Sequence, residues 1–162
     1  MLSVLSRRTI VSNPWMIFLS TAFVVSLAVI DSGVINVALP ILSHYFDVNF
    51  QIIQWLITAY LFAVCLMIPI AGRLSDVFSS RQTYLFGIAV FIIGSFLCSI
   101  ATQIHEFIFF RVIQGIGASF LLAYTQAILM HTFPKALRGR ALGINSMIVA
   151  CGAIVGPSLG GF

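Results

Sequence analysis

The chain has 162 residues, of which 60% are hydrophobic and 7% charged, with a formal net charge of +4. Its mean hydropathy is +1.12, whereas a soluble globular domain carries roughly 25% charged residues. Too little polar surface exists to cover a water-soluble fold, so the class is an all-α integral membrane protein. The basic residues are separated by long apolar runs and form no patch, which argues against a nucleic-acid partner.

Five continuous apolar runs are long enough to cross a bilayer as helices, at approximately 15–39, 51–71, 83–101, 107–130 and 141–162. Backbone groups in lipid must be satisfied within the segment, which makes helices the only fit to such runs. Residues 1–14 form a leader with Arg7 and Arg8. The run that follows outlasts the 7–15 residues of a signal-peptide core and meets no A-x-A-like site. It therefore reads as the first transmembrane helix. Arg73 and Arg81 lie between the second and third runs, and Lys135, Arg138 and Arg140 between the fourth and fifth. The other two loops hold no Lys or Arg but contain His44, Asp47, His105 and Glu106. This segregation predicts a cytoplasmic N-terminus, with the second and fourth loops also inside.

Two charges sit inside runs, where they are expensive and mark functional candidates. Asp31 is eight residues before Leu39, roughly 12 Å below the outer end of its helix. Arg111 is roughly 7–8 Å below the same surface, and a long arginine side chain spans the difference. At about 100° per residue, Gln114, Thr125 and Gln126 lie on the Arg111 side of the fourth helix. Such a stripe is expected to face a protein interior or a water-filled cavity. The pair is either structural, holding helices together, or part of a transport pathway in which its charge state changes.

Cys65, Cys98 and Cys151 lie in apolar runs without ligand-spaced partners and read as small buried hydrophobes. His44, His105 and His131 sit at run ends and form no cluster. No catalytic residue, metal site or cofactor is expected, and no enzymatic role.

The last run, "CGAIVGPSLGGF", has Gly152, Gly156 and Gly160 at every fourth position, with Pro157 and Gly161 beside them. Residues four apart share a helix face, so these glycines form a groove that admits a partner backbone. Pro157 removes a backbone hydrogen bond and should bend the helix.

Together these stretches resemble the N-terminal part of a major facilitator superfamily transporter, over about residues 15–162. More narrowly, they are similar to drug:proton antiporters of the 14-helix group. "DSGVINVALP" is similar to the pattern D-x-T-x-x-N-V-A-L-P at Asp31, Asn36, Ala38, Leu39 and Pro40, with Gly33 in place of threonine. "QWLITAY" resembles Q-W-x-x-T-A-Y. "GRLSDVFSSRQ" resembles G-x-L-a-D-r-x-G-r-k at Gly72, Leu74, Asp76 and Arg81, but departs at Val77, Ser79 and Ser80. "RVIQGIG" matches R-x-x-Q-G-x-G at Arg111, Gln114, Gly115 and Gly117. "GAIVGPSLGG" matches G-x-x-x-G-P-x-x-G-G throughout.

The resemblance implies five helices of an incomplete N-terminal half, whose partners are the lipid bilayer, a small-molecule substrate and a missing C-terminal half. It implies proton-coupled efflux of drugs or other lipophilic or cationic compounds across a bacterial cytoplasmic membrane. Asp31, Arg111 and Gln114 would couple the proton. Gly72, Asp76 and Arg81 would form a cytoplasmic latch, weakened here by the three departures. The glycine motif, which in the family marks antiporters, would pack against the opposite half, the alternative being packing within these five helices only. Uptake of a small solute and a non-transporting truncated fragment remain the alternatives. The leader at the start of the chain places the missing part at the C-terminal side.

Overall fold

The computed structural model describes residues 14–77 and 80–160, without the side chains of residues 14, 17, 75–80, 131, 132 and 159. Six helices follow in order: α1 (Pro14–Tyr45), α2 (Phe50–Ile53), α3 (Trp55–Val77), α4 (Ser80–Ile100), α5 (Ile104–Thr132) and α6 (Lys135–Gly160). No strand occurs among the described residues. Among the described residues five segments are long and apolar enough to cross a membrane, with α2 and α3 together supplying the second. Gln54, the single residue between them, itself has helical angles of −60° and −22°. The leader at 1–13, Gly161 and Phe162 lie outside the described residues.

The helices outrun their apolar runs. α6 starts at Lys135, because the basic stretch before Ala141 is competent for helix and projects its charges beyond the apolar layer. α1 continues through Pro40 to Tyr45 instead of stopping at Leu39. A proline removes only one backbone bond, and packing beyond it supports the extra turn. Leu39 and the residues that follow, Leu42 and Phe46, pack with Ile53, Leu56, Ile104 and Phe107. The helix then stops in a Schellman arrangement. Asp47 adopts φ +49°, the Val48 amide donates to the Ser43 carbonyl at 3.1 Å, and the Asp47 amide donates to His44 at 3.4 Å. α6 likewise runs unbroken through Pro157.

α5 is the hub. It packs along α3 and α4, while α6 packs along α1. The two groups are joined mainly through α1 and α5. One join is an aromatic cluster in which Trp15 and Phe18 meet Phe133 with ring centroids 4.8 and 5.6 Å apart. The Arg138 Nε–H donates to the Phe133 carbonyl at 3.1 Å and so satisfies the end of α5. At its other end, Glu106 accepts from the Thr102 and Gln103 amides at 3.1 and 3.3 Å. Large apolar side chains such as Phe23, Phe62, Phe96 and Ile154 point outward, as expected where lipid replaces water.

Candidate functional site

The second join between the groups is polar. Asp31 sits midway along α1, and Arg111 and Gln114 are one turn apart on α5, so both can address one partner. Arg111 Nη1 donates to Asp31 Oδ2 at 2.7 Å and to Gln114 Oε1 at 2.6 Å. Gln114 Nε2 in turn donates to the same Asp31 oxygen at 3.2 Å and to Ser95 Oγ of α4 at 2.5 Å. The exposures are unequal. The Arg111 side chain is 2% exposed and that of Asp31 is 32%. One partner is therefore locked inside protein while the other stays accessible.

The backbone makes room for this node at two glycines. A Cβ added at Gly115 would lie 2.7 Å from the Tyr60 carbonyl oxygen, and one at Gly94 would lie 2.7 Å from the Gln114 backbone nitrogen. The absence of side chains there brings α3 and α4 against α5. The Tyr60 ring thereby stands 5.3 Å from the Arg111 guanidinium, in cation–π range. Beside the node, between α1 and α3, is a cavity of about 80 Å³ lined in part by Ser32, Asn36, Tyr60 and Arg111.

The remaining candidates are distributed differently. Of the expected polar stripe on α5, Gln114 joins the site, Thr125 satisfies its own hydroxyl on the Leu121 carbonyl at 2.9 Å, and Gln126 is exposed. The groove formed by Gly152, Gly156 and Gly160 of α6 is occupied by α1. A Cβ at Gly152 would lie 3.1 Å from the Ser26 carbonyl, one at Gly156 2.8 Å from that of Ile30, and one at Gly160 3.0 Å from Val34 Cα. Within this chain the first helix is the neighbour of that groove, and Gly33, the departure from the motif, forms part of the contact. Pro157 Cδ lies 2.9 Å from where a Gly33 Cβ would stand. Gly72 and Asp76 fall in the last turns of α3, and Arg81 is exposed at the start of α4. The Asp76 side chain is outside the described residues, so no latch contact is drawn.

Sequence reasoning missed Tyr60, Ser95 and Ser32. Tyr60 was visible as the last residue of "QWLITAY". Ser95 and Ser32 left only the weak signal of a hydroxyl in an apolar run. No cluster of metal-ligating side chains occurs among the described residues.

Comparison with known proteins adds a family. The Major Facilitator Superfamily profile matches residues 21–162. The chain is 34% identical over 147 residues to the riboflavin transporter RibZ of Clostridioides difficile, covering 91% of this chain and 32% of that protein. It is 32% identical over 148 residues to the probable multidrug resistance protein EmrY of Escherichia coli, covering 91% and 29%. With the multidrug export protein EmrB of Haemophilus influenzae it shares 35% identity over 136 residues, covering 84% and 27%. The chain spans about a third of the length of these curated relatives.

Proposed function

Because the chain belongs to the Major Facilitator Superfamily, a family of membrane transporters rather than enzymes, we propose that it supplies the proton-coupling helices of a drug-expelling transporter. In this reading Asp31 is the proton-carrying carboxylate, Arg111 its regulator, and Gln114 the bridge between them. The observation that carries it is the unequal burial of the pair. A carboxylate that stays partly open can take up and release a proton, which a fully enclosed one cannot do without a rearrangement. Here the carboxylate is one-third open and the guanidinium is closed off.

The chemistry follows from charge balance. Protonation of Asp31 removes the negative charge facing Arg111. A buried cation that loses its partner is costly, about 3–5 kcal/mol in proteins at large. The protonated state therefore favours rearrangement of α1 against α5. A cationic substrate reaching Asp31 would compete with Arg111 for the same carboxylate and favour release of the proton. The relatives named for multidrug resistance and multidrug export support drugs as the cargo. The riboflavin transporter among them supports a second reading, movement of one small solute through the same site.

The orientation proposed is an N-terminus in the cytoplasm of a bacterial cell, with Gly72, Asp76 and Arg81 on that side as a latch. It rests on the separation of Lys and Arg from the loops around His44 and His105.

The test is efflux of a fluorescent lipophilic cation by the full-length protein in proteoliposomes under an imposed proton gradient. Asp31→Asn should abolish the dependence on the gradient at equal protein incorporation. Undiminished proton-driven exchange in that variant would leave Asp31 a structural residue.

A further inference from the structure

One nitrogen of the node is unaccounted for. Arg111 Nε is buried and has no hydrogen-bond partner. A charged donor left unsatisfied away from water is among the most expensive defects in a protein interior. Yet Arg111 lines the cavity between α1 and α3, whose polar lining also includes Ser32, Asn36 and Tyr60. Ser32 and Tyr60 line this cavity from α1 and α3. A water molecule requires roughly 10–15 Å³ of such space and two to four polar partners. A cavity of about 80 Å³ with these groups meets both conditions. Ile35, Leu56, Ile57 and Leu61 complete its walls, so any occupant must gather at the polar side.

We propose that this cavity is a water site that solvates Arg111 through Nε, and that Tyr60 is its positioning residue. Asp31 holds only the Nη1 end of the guanidinium. The Tyr60 ring supports one face of it, and the hydroxyls of Ser32 and Tyr60 give the water further partners. Arg111 then keeps the cavity water, Gln114 and the Tyr60 face when Asp31 is neutral. The cation is thereby retained inside the protein through both charge states of the carboxylate. Asn36, which is exposed, forms the mouth through which water enters from the end of the bundle where α1 meets α2. The role in the cycle rests on the proton-carrying function proposed for Asp31, whereas the water site itself does not.

The two parts are tested separately, on the full-length protein in lipid nanodiscs. Millisecond hydroxyl-radical footprinting, in which radicals form from bound water, should modify Tyr60 much faster than Phe18, which is buried away from any cavity described here. Ser32→Val should reduce the modification of Tyr60 several-fold, and Ser32→Thr should restore it. Modification of Tyr60 no faster than Phe18 means a dry cavity and overturns the proposal. For the positioning role, efflux of a fluorescent lipophilic cation is compared in Tyr60→Phe and Tyr60→Leu. Loss of the ring should lower the maximal rate about tenfold at unchanged KM, while Tyr60→Phe stays within about twofold. Equal rates in the two variants overturn that role. If Asp31→Asn transport stays proton-driven, the carboxylate's function fails while the footprint of Tyr60 is still read on its own.

Discussion

α1 meets two neighbours by opposite means. Toward α6 the contact is backbone on backbone. Gly152, Gly156 and Gly160 face Ser26, Ile30 with Gly33, and Val34, and no charge takes part. Toward α5 the contact midway along the helix is Asp31 on Arg111 and Gln114, with charge and hydrogen bonds throughout. In lipid there is little hydrophobic drive between helices, so close glycine packing is a durable way to join two of them. Such a seam has no protonation state and nothing to respond with. The polar node depends on one carboxylate and can be switched. The difference separates what holds the helices together from what can change during a cycle.

The largest effect should come from breaking the node on its buried side. Asp31→Leu leaves Arg111, 2% exposed, without its carboxylate, whereas Arg111→Leu leaves Asp31, 32% exposed, to be hydrated. The first should therefore destabilise more, by less than the roughly 3–5 kcal/mol of a fully orphaned buried charge, because Arg111 keeps its hydrogen bond to Gln114. Thermal unfolding of both variants of the full-length protein in one detergent measures this. Equal losses would mean that the node is no more buried on one side than on the other.

An intermediate effect belongs to the seam. Gly33→Thr restores the residue found in the motif that the first helix resembles. In this chain the new Cβ would meet Pro157 Cδ at 2.9 Å and Gly156 Cα at 3.0 Å. Neither ring nor backbone can yield easily, so α1 and α6 must part. Overpacking of this kind costs typically about 1–3 kcal/mol. Gly33→Ala places the same Cβ and should show most of that loss. Unfolding temperatures unchanged in both variants would remove the seam from the comparison.

How far the sequence reached differs between these two contacts. The five spans were legible because lipid imposes one pattern on every crossing helix. Asp31 and Arg111 were legible because charge in such a span is conspicuous, and their depths could be counted along each helix. Gln114 came with Arg111 through the one-turn spacing. The partner of the glycine groove was not legible, since small residues announce a close approach without naming who approaches. Gly33 looked like a lost threonine until α6 was seen against it. Tyr60 and Ser95 were hidden for a different reason. Their roles depend on Gly115 and Gly94 bringing α3 and α4 onto α5, a tertiary fact with no period in any one helix. The helix ends were misjudged wherever apolarity stopped before helicity, as at Pro40 and Lys135.

The smallest effect separates glycines that pack from glycines that do not. Gly72 lies inside α3, five residues before its end, and a Cβ built there meets nothing within 4 Å. In the seam, by contrast, Gly152, Gly156 and Gly160 each have an atom of α1 within 3.1 Å of the added Cβ. A helical glycine with room for a Cβ loses more backbone freedom on folding than an alanine would. Gly72→Ala should therefore stabilise the full-length protein by about 0.4–1 kcal/mol, the reverse of the change at Gly33. A rise in unfolding temperature with unchanged efflux would mark Gly72 as dispensable and remove it from the proposed latch. A rise accompanied by slower efflux would keep Gly72 in the latch, with its open side needed for an approach made during the cycle. A fall in stability would mean that space around Gly72 is already occupied in the full-length protein, and that packing extends beyond the seam to the latch end of α3.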